Sequence, residues 1–194
     1  MQEMTPKRRY NEIIELLQSG SESEAEQLCR RAVDENGDVN FIALLGTILA
    51  RRDELQEAES HLRRAVQIAP AYPKANEELG SVLMNRGKAE EAIPFLRKAT
   101  ELSPSSAECF FKLGGALKLA GDNNGASAAF AESQRLSPSK AKLEEASRLF
   151  AAKKFREAEK LAQELILENP RDVNAALLLS KIAMDAACLS LIHI

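Results

Sequence analysis

The chain has 194 residues, of which 45% are hydrophobic and 5% aromatic, and its 26 basic and 29 acidic side chains give a formal net charge of −3. Both signs are interspersed along the sequence, which excludes a basic stripe for nucleic acid and a polybasic patch for a membrane surface. No run approaches the roughly 18 apolar residues of a membrane helix, and no secretory signal is recognised. The three cysteines form no CxxC pair, so we expect a cytoplasmic protein in a reducing compartment.

A repeat of about 34 residues organises the sequence. A proline closes successive repeats at Pro70, Pro104, Pro138 and Pro170. An alanine near the start of the second half recurs at Ala25, Ala58, Ala92, Ala126 and Ala158. A Leu-Gly pair precedes this alanine as Leu45-Gly46, Leu79-Gly80 and Leu113-Gly114. Apolar residues at helical spacing on both sides of a turn predict two amphipathic helices in each repeat.

In chain order, the first repeat covers residues 5–38 and is degenerate, because Gly37 stands where later repeats have proline. Residues 39–72, 73–106 and 107–138 form three well-formed repeats, in which Gly87 marks one of the turns. A further repeat covers residues 139–172, and residues 173–187 form the first helix of another. One helix pair cannot bury its apolar face alone, so we expect the repeats to stack into a continuous core.

These residues resemble the tetratricopeptide repeat (TPR) family. The resemblance rests on the Leu-Gly pair, the alanine, the large residue four positions later and the closing proline. That large residue is Leu62, Leu96 or Phe130. The resemblance implies an all-α fold, an α-α superhelix built as a TPR solenoid of antiparallel helix pairs, with about four repeats and one unpaired helix. It also implies a scaffold that binds a protein or peptide in its concave groove, without a cofactor.

In this family the concave face comes from the second, fifth, ninth and twelfth positions of the first helices. The resemblance therefore implies partner contacts through Asn40, Thr47, Lys74, Glu77, Ser81, Met84, Glu108, Phe111 and Lys118, with Ala43, Ala50 and Gly115 between them. Met84 and Phe111 are the expected apolar anchors for an extended peptide or a partner helix. At the corresponding positions of the next repeat, Leu143 and Phe150 either continue the groove or pack against the preceding repeat, and packing is favoured.

The co-chaperone members of the family clamp a carboxylate with Lys and Asn on the first repeat and Lys and Arg on the third. Here Ala43, Thr47 and Glu108 occupy the corresponding positions, so the resemblance does not imply that clamp. A catalytic or metal site is not predicted either. The chain has two histidines, His61 and His193, and no metal-ligand spacing or phosphate loop. We expect His61 to be a solvated surface residue.

The end of the sequence breaks the repeat pattern. Residues 189–194 look like a translated sequencing adapter, so we expect a truncated chain whose last helix exposes Leu177, Leu178, Ile182 and Met184 and promotes self-association. The stretch starting at Glu157 also repeats the stretch starting at Glu24, which indicates a block of repeats that starts over. The repeat residues are similar to those of bacterial TPR–sulfotransferase fusion proteins. An alternative function is therefore the recognition arm of a larger enzyme whose catalytic domain is missing.

Overall fold

A computed structural model describes residues 5–170 and 172–192, with the side chains of residues 36 and 186–192 left out of the description. In this part of the chain every regular element is an α-helix, which confirms the all-α prediction. The eleven helices described are α1 (Pro6–Gln18), α2 (Glu22–Asn36), α3 (Val39–Arg51), α4 (Leu55–Ile68), α5 (Pro73–Asn85), α6 (Ala89–Leu102), α7 (Ala107–Leu119), α8 (Asn123–Leu136), α9 (Pro138–Ala151), α10 (Phe155–Glu168) and α11 (Val173–Ile192). None of these helices is both long and apolar enough to cross a membrane.

Each predicted repeat up to residue 172 holds one helix pair, joined by a short turn. The turn needs one residue with positive φ, because the chain reverses direction immediately after the first helix. Gly87 supplies it as predicted, with φ of 74°. Asp53 and Lys153 supply it in two other repeats, with φ of 65° and 60°, although side chains disfavour this conformation.

The Leu-Gly pairs mark the closest approach between the two helices of a repeat. A Cβ built on Gly46 would lie 2.6 Å from Cγ of Leu62, and one built on Gly114 would lie 2.7 Å from the ring of Phe130. No carbon atom fits at such distances, so glycine lets the large residue of the second helix pack against the backbone of the first. This close packing is the physical reason for the Leu-Gly pair and for the large residue four positions after the recurrent alanine.

The chain divides into two compact units, Met1–Ser133 and Gln134–Ile194, which we call the N-terminal and C-terminal units. In the N-terminal unit, ion pairs between second helices and following repeats accompany the apolar core. Glu26 pairs with Arg52 across the first junction, and Glu59 pairs with Arg86 across the second. In each pair the glutamate directly follows the recurrent alanine of a second helix. The arginine directly follows the first helix of the next repeat.

The C-terminal unit has its own core, formed by Ala146, Ala158, Ala162, Leu178 and Ile182. Leu178 and Ile182 were expected to be exposed, and this expectation is wrong: they are 8% and 2% exposed, because α11 packs on α10 and α9. Leu177 and Met184 are exposed as expected. Self-association through them stays a prediction.

Two further expectations concern the C-terminal unit. Leu143 and Phe150 are half-buried and pack on the core of their own unit, while their packing against the preceding repeat stays a prediction. Helix α11 continues to Ile192, past the expected end at residue 187, because no glycine or proline interrupts it. The proposed adapter segment 189–194 lies outside the described residues, apart from the helical backbone of residues 189–192.

Candidate functional site

The first helices of the N-terminal unit present the positions at which partner contacts were expected. We call the side chains at the second, fifth, ninth and twelfth positions of α1, α3, α5 and α7 the first-helix face. Helix α5 packs between α3 and α7, so the positions of successive repeats lie side by side. Position five illustrates the variation along the face, since it holds Tyr10, Ala43, Glu77 and Phe111.

An ion-pair cluster occupies the centre of the first-helix face. Glu77 is 7% exposed and pairs with Lys74 at 3.2 Å and, more closely, with Lys112 of the next first helix. Lys112 also lies 3.2 Å from Glu108, and Lys74 lies 2.8 Å from Glu78. Three of the expected contact residues, Lys74, Glu77 and Glu108, are therefore paired within the chain.

The pKa values of the two lysines follow from this arrangement. Burial alone would lower the pKa of Lys112, but its hydrogen bond to Glu77 and the neighbouring carboxylates raise it overall. The pKa of Lys74 is raised in the same way by Glu78 and Glu77, against the effect of burial. Both ammonium groups stay charged near neutral pH, so the cluster persists and joins α5 to α7.

An apolar patch lies beside this cluster. Phe111 is 42% exposed, and its ring packs on Phe130 with 5.5 Å between the ring centroids. The terminal methyl carbon of Met84 lies 3.1 Å from the point that a Cβ on Gly115 would occupy, one helical turn from Phe111. Lys118 is exposed one turn further along α7. The structure thus brings together Met84, Phe111 and Lys118 among the expected residues.

The small polar residues of the first-helix face bond mainly to their own helices. The hydroxyl groups of Thr47 and Ser81 donate to the carbonyl oxygens of Ala43 and Glu77, at 3.1 and 3.0 Å. Their oxygen atoms remain available as acceptors, since a hydroxyl carries two lone pairs. These residues can therefore accept hydrogen bonds from a ligand backbone, but their own hydrogens are used.

Sequence reasoning missed the part of the face that the first repeat contributes. A cavity of about 290 Å³ is lined by Pro6, Lys7, Tyr10, Asp38, Asn40 and Phe41. Lys7 and Tyr10 hold the second and fifth positions of α1, which were left unassigned because the first repeat was treated as degenerate. The spacing between Ala25 and Ala58 relates the first repeat to the second. Applied to the expected contact positions of the second repeat, it could have placed Lys7 and Tyr10 on the first-helix face. Of the expected residues, Asn40 lies here.

The remaining reactive side chains do not gather on this face. Within the described residues no group of three or more His, Cys, Asp or Glu is placed to hold a metal ion. Cys29 is buried, its thiol donates to the carbonyl oxygen of Phe41, and burial raises its pKa to about 12. His61 is less exposed than expected, because its side chain is 20% exposed and lies 3.6 Å from the Glu57 carboxylate.

Solved structures resemble this chain in fold. TTC0263, a thermophilic TPR protein in Thermus thermophilus, shares 17% identity over 93% of this chain and 100% of that one, with a TM-score of 0.71. MamA from Desulfovibrio magneticus RS-1, from residue 41 of its own sequence, shares 20% identity over 87% and 99%, with a TM-score of 0.65. YrrB, described as a TPR protein with an unusual peptide-binding site, shares 18% identity over 90% and 92%, with a TM-score of 0.62.

No curated protein matches the sequence. The matches found lend no support to the expected truncation or to the sulfotransferase alternative, and both stay predictions. The family model of the tetratricopeptide repeat matches residues 10–75, 43–107, 77–141 and 143–186, which together span most of the chain. The fold and the sequence agree, and the chain belongs to the tetratricopeptide repeat family.

Proposed function

We propose that the N-terminal unit binds an extended peptide segment of a partner protein along its first-helix face, with Phe111 and Met84 contacting an apolar side chain. The observation that carries this proposal is the exposure of Phe111. Phe111 is 42% exposed, yet its ring is held in place by Phe130 on one side. An immobilised aromatic ring gives a partner contact area at a small cost in conformational entropy.

The surroundings of Phe111 fit a peptide. Met84 is flexible and lies against Gly115, so it can adapt to side chains of different shape. Thr47 and Ser81 offer oxygen acceptors to backbone N–H groups along the same face. The charges of the central lysines and glutamates neutralise one another within the chain. They therefore leave no concentration of positive charge that would favour nucleic acid.

The similarity to YrrB is consistent with this proposal. That protein has a peptide-binding site, and it shares the fold of this chain at 18% identity. At such identity the contact residues cannot be transferred, so the proposal rests on the side chains of this chain. The first-helix face differs between repeats, which is the property that a surface selecting one sequence of side chains requires.

The test is a selection of random peptides displayed on phage against the purified protein, followed by fluorescence anisotropy with the enriched peptides. Phe111→Ala should weaken binding at least tenfold, because truncating a central aromatic contact commonly costs about 2 kcal/mol. Ile68→Ala is the matched control, since Ile68 is 53% exposed but lies at the end of the second helix α4. It should bind like the wild-type protein.

Circular dichroism must show that both variants melt within about 2 °C of the wild-type protein, because both side chains are exposed. The proposal fails if no peptide is enriched above background. It also fails if Phe111→Ala and Ile68→Ala bind the enriched peptides equally well. A large loss of stability in Phe111→Ala would assign Phe111 to the core instead of the binding face.

A further inference from the structure

The cavity of the first repeat has rigid aromatic walls. Phe41 is 1% exposed and its ring centroid lies 6.1 Å from that of Tyr10, with 52° between the ring planes. Pro6 adds a third ring to the lining. At about 290 Å³ the cavity is at the lower end of ligand pockets, so it suits a single side chain better than a cofactor.

The fixed charge of this cavity is the carboxylate of Asp38. Its Oδ1 atom caps α3, accepting from the backbone N–H of Asn40 at 2.8 Å and from the Asn40 amide at 2.9 Å. Within the described part of the chain, the second oxygen, Oδ2, has no hydrogen-bond or ion-pair partner. The cap fixes the orientation of this carboxylate, so a ligand meets one preformed acceptor.

Tyr10 lines this cavity, whereas Tyr72, the residue before α5, lies outside its lining. Burial raises the pKa of the Tyr72 hydroxyl, and the proximity of Tyr10 and Asp38 raises it further. Among the described residues neither tyrosine hydroxyl has a hydrogen-bond partner. The Tyr10 hydroxyl oxygen and Oδ2 of Asp38 are thus two acceptors without partners among the described residues, and they complement a cation that carries several N–H donors.

Two lysines lie near these acceptors, and neither neutralises Asp38. Lys74 is held by Glu77 and Glu78, at 3.2 and 2.8 Å. Lys7 lines the cavity but is exposed, and its flexible side chain can extend into solvent. Asp38 is half-buried and Lys7 is exposed, so the fixed charge at this cavity is negative and the mobile charge is positive.

We propose that this cavity, which we call the Tyr10 pocket, binds a lysine or arginine side chain of the same peptide, with its cation at Asp38 and its aliphatic stem against Tyr10. This inference rests on the proposed function and specifies the partner. A charge-assisted hydrogen bond to a carboxylate is about twice as strong as a neutral one, and the face of an aromatic ring attracts the same cation.

The distance between the Tyr10 pocket and Phe111 also sets the spacing between the two contact residues of the expected peptide. Tyr10 and Phe111 both occupy position five, three repeats apart. Packed helices are about 8–10 Å apart, so the two sites are separated by roughly 24–30 Å. An extended chain advances about 3.3–3.6 Å per residue and covers this distance in about eight residues. The expected ligand has a basic residue about eight positions from a large apolar residue.

Asp38→Asn tests the charge without removing the helix cap, because asparagine caps a helix as well as aspartate does. Asp172→Asn is the matched control, since Asp172 caps α11 in the same way, accepting from the backbone N–H groups of Asn174 and Ala175. Asp172 belongs to the C-terminal unit, whereas Tyr10 and Tyr72 belong to the N-terminal unit. Both variants should keep the wild-type melting temperature.

The first readout is the peptide selection described above, repeated with each variant. The wild-type protein and Asp172→Asn should enrich Lys or Arg about eight positions from an apolar residue, whereas Asp38→Asn should keep the apolar preference and lose the basic one at least fivefold. Phe111→Ala should instead keep the basic preference and lose the apolar one. If Asp38→Asn enriches basic residues as strongly as the wild-type protein, or if acidic residues are enriched instead, the inference is overturned while peptide binding stands.

The second readout does not depend on the selection. N-acetyl-arginine methylamide is titrated into ¹⁵N-labelled protein, with N-acetyl-glutamine methylamide as the uncharged comparison. We expect saturable shifts at Tyr10, Asn40 and Tyr72 with the arginine compound, and at least fivefold weaker binding in Asp38→Asn. Equal shifts with both compounds, or shifts located elsewhere, would show that the Tyr10 pocket does not recognise the cation, even if peptides bind.

Discussion

Replacing Glu59 by glutamine should destabilise the N-terminal unit by about 2 kcal/mol, a value between those of buried and exposed ion pairs. The Glu59 side chain is 8% exposed and pairs with Arg63, Arg86 and Lys88, so its carboxylate is the common partner of three cations. Removing one partner from a buried ion pair commonly costs about 3–5 kcal/mol, while exposed pairs contribute about 0–1 kcal/mol. The three cations are partly exposed and can turn toward water, which places the expected cost between these ranges.

The pH dependence of Glu59 gives a second measure of the same interaction. Burial alone would raise its pKa, but hydrogen bonds from Arg63, Lys88 and Arg86 more than offset this effect, and the pKa is lowered. A carboxyl group whose pKa is lower in the folded state stabilises the fold above its unfolded pKa, about 4.3. That stabilisation is lost as the pH falls through the folded pKa. The difference between the wild-type protein and Glu59→Gln should thus shrink below about pH 4.

Urea unfolding followed by circular dichroism is the assay, because urea does not screen charges as guanidinium does. Glu91→Gln is the control: Glu91 also pairs with Arg63 and Lys88, but its side chain is 46% exposed. We expect less than about 1 kcal/mol for this control. Equal losses in both variants, or a loss in Glu59→Gln no larger than that of an exposed pair, would refute the reasoning that burial makes this carboxylate important.

Three further substitutions test the backbone geometry by the same unfolding assay. Gly46→Ala should destabilise by about 1–2 kcal/mol, because its Cβ would overlap Cγ of the buried Leu62. Gly115→Ala should be neutral or stabilising, since its Cβ meets only the mobile end of Met84, and equal effects at both sites would contradict the packing argument. Lys153→Gly should stabilise the C-terminal unit by about 0.5–1 kcal/mol by relieving a φ of 60°, and destabilisation would argue against strain there.

The repeat period predicted the helices because each sequence signal corresponds to a local requirement. Gly46 and Gly114 are needed where a large residue packs on the backbone, and Gly87 is needed for a positive φ. The period does not reveal that Asp53 and Lys153 adopt the same conformation, since aspartate adopts it only occasionally and lysine is disfavoured there. In those turns the packing of the flanking helices imposes the conformation against local preference.

The binding face was less predictable, because a position in a helix gives the direction of a side chain but not its partners. Glu77 holds an inner position, but Lys112 reaches it from the next repeat and removes it from the available surface. Lys112 lies outside the positions that the family uses for binding, so no sequence signal pointed to it. Leu178 and Ile182 were misplaced for a related reason, since α9 and α10 cover them within the C-terminal unit.

The structure separates the positions that stabilise the stack from those that vary. The ion pairs of Glu26 and Glu59 use second helices and the ends of first helices, and the Leu-Gly contacts lie between the helices of a repeat. Neither set includes position five, where Tyr10 and Phe111 differ from their equivalents in the repeats between them. Position five still has structural roles in the two repeats between them, since Ala43 is buried and Glu77 pairs with Lys112, but Tyr10 and Phe111 lie outside both sets. This separation explains why solved structures with 17–20% identity share the fold but do not indicate which ligand this chain binds.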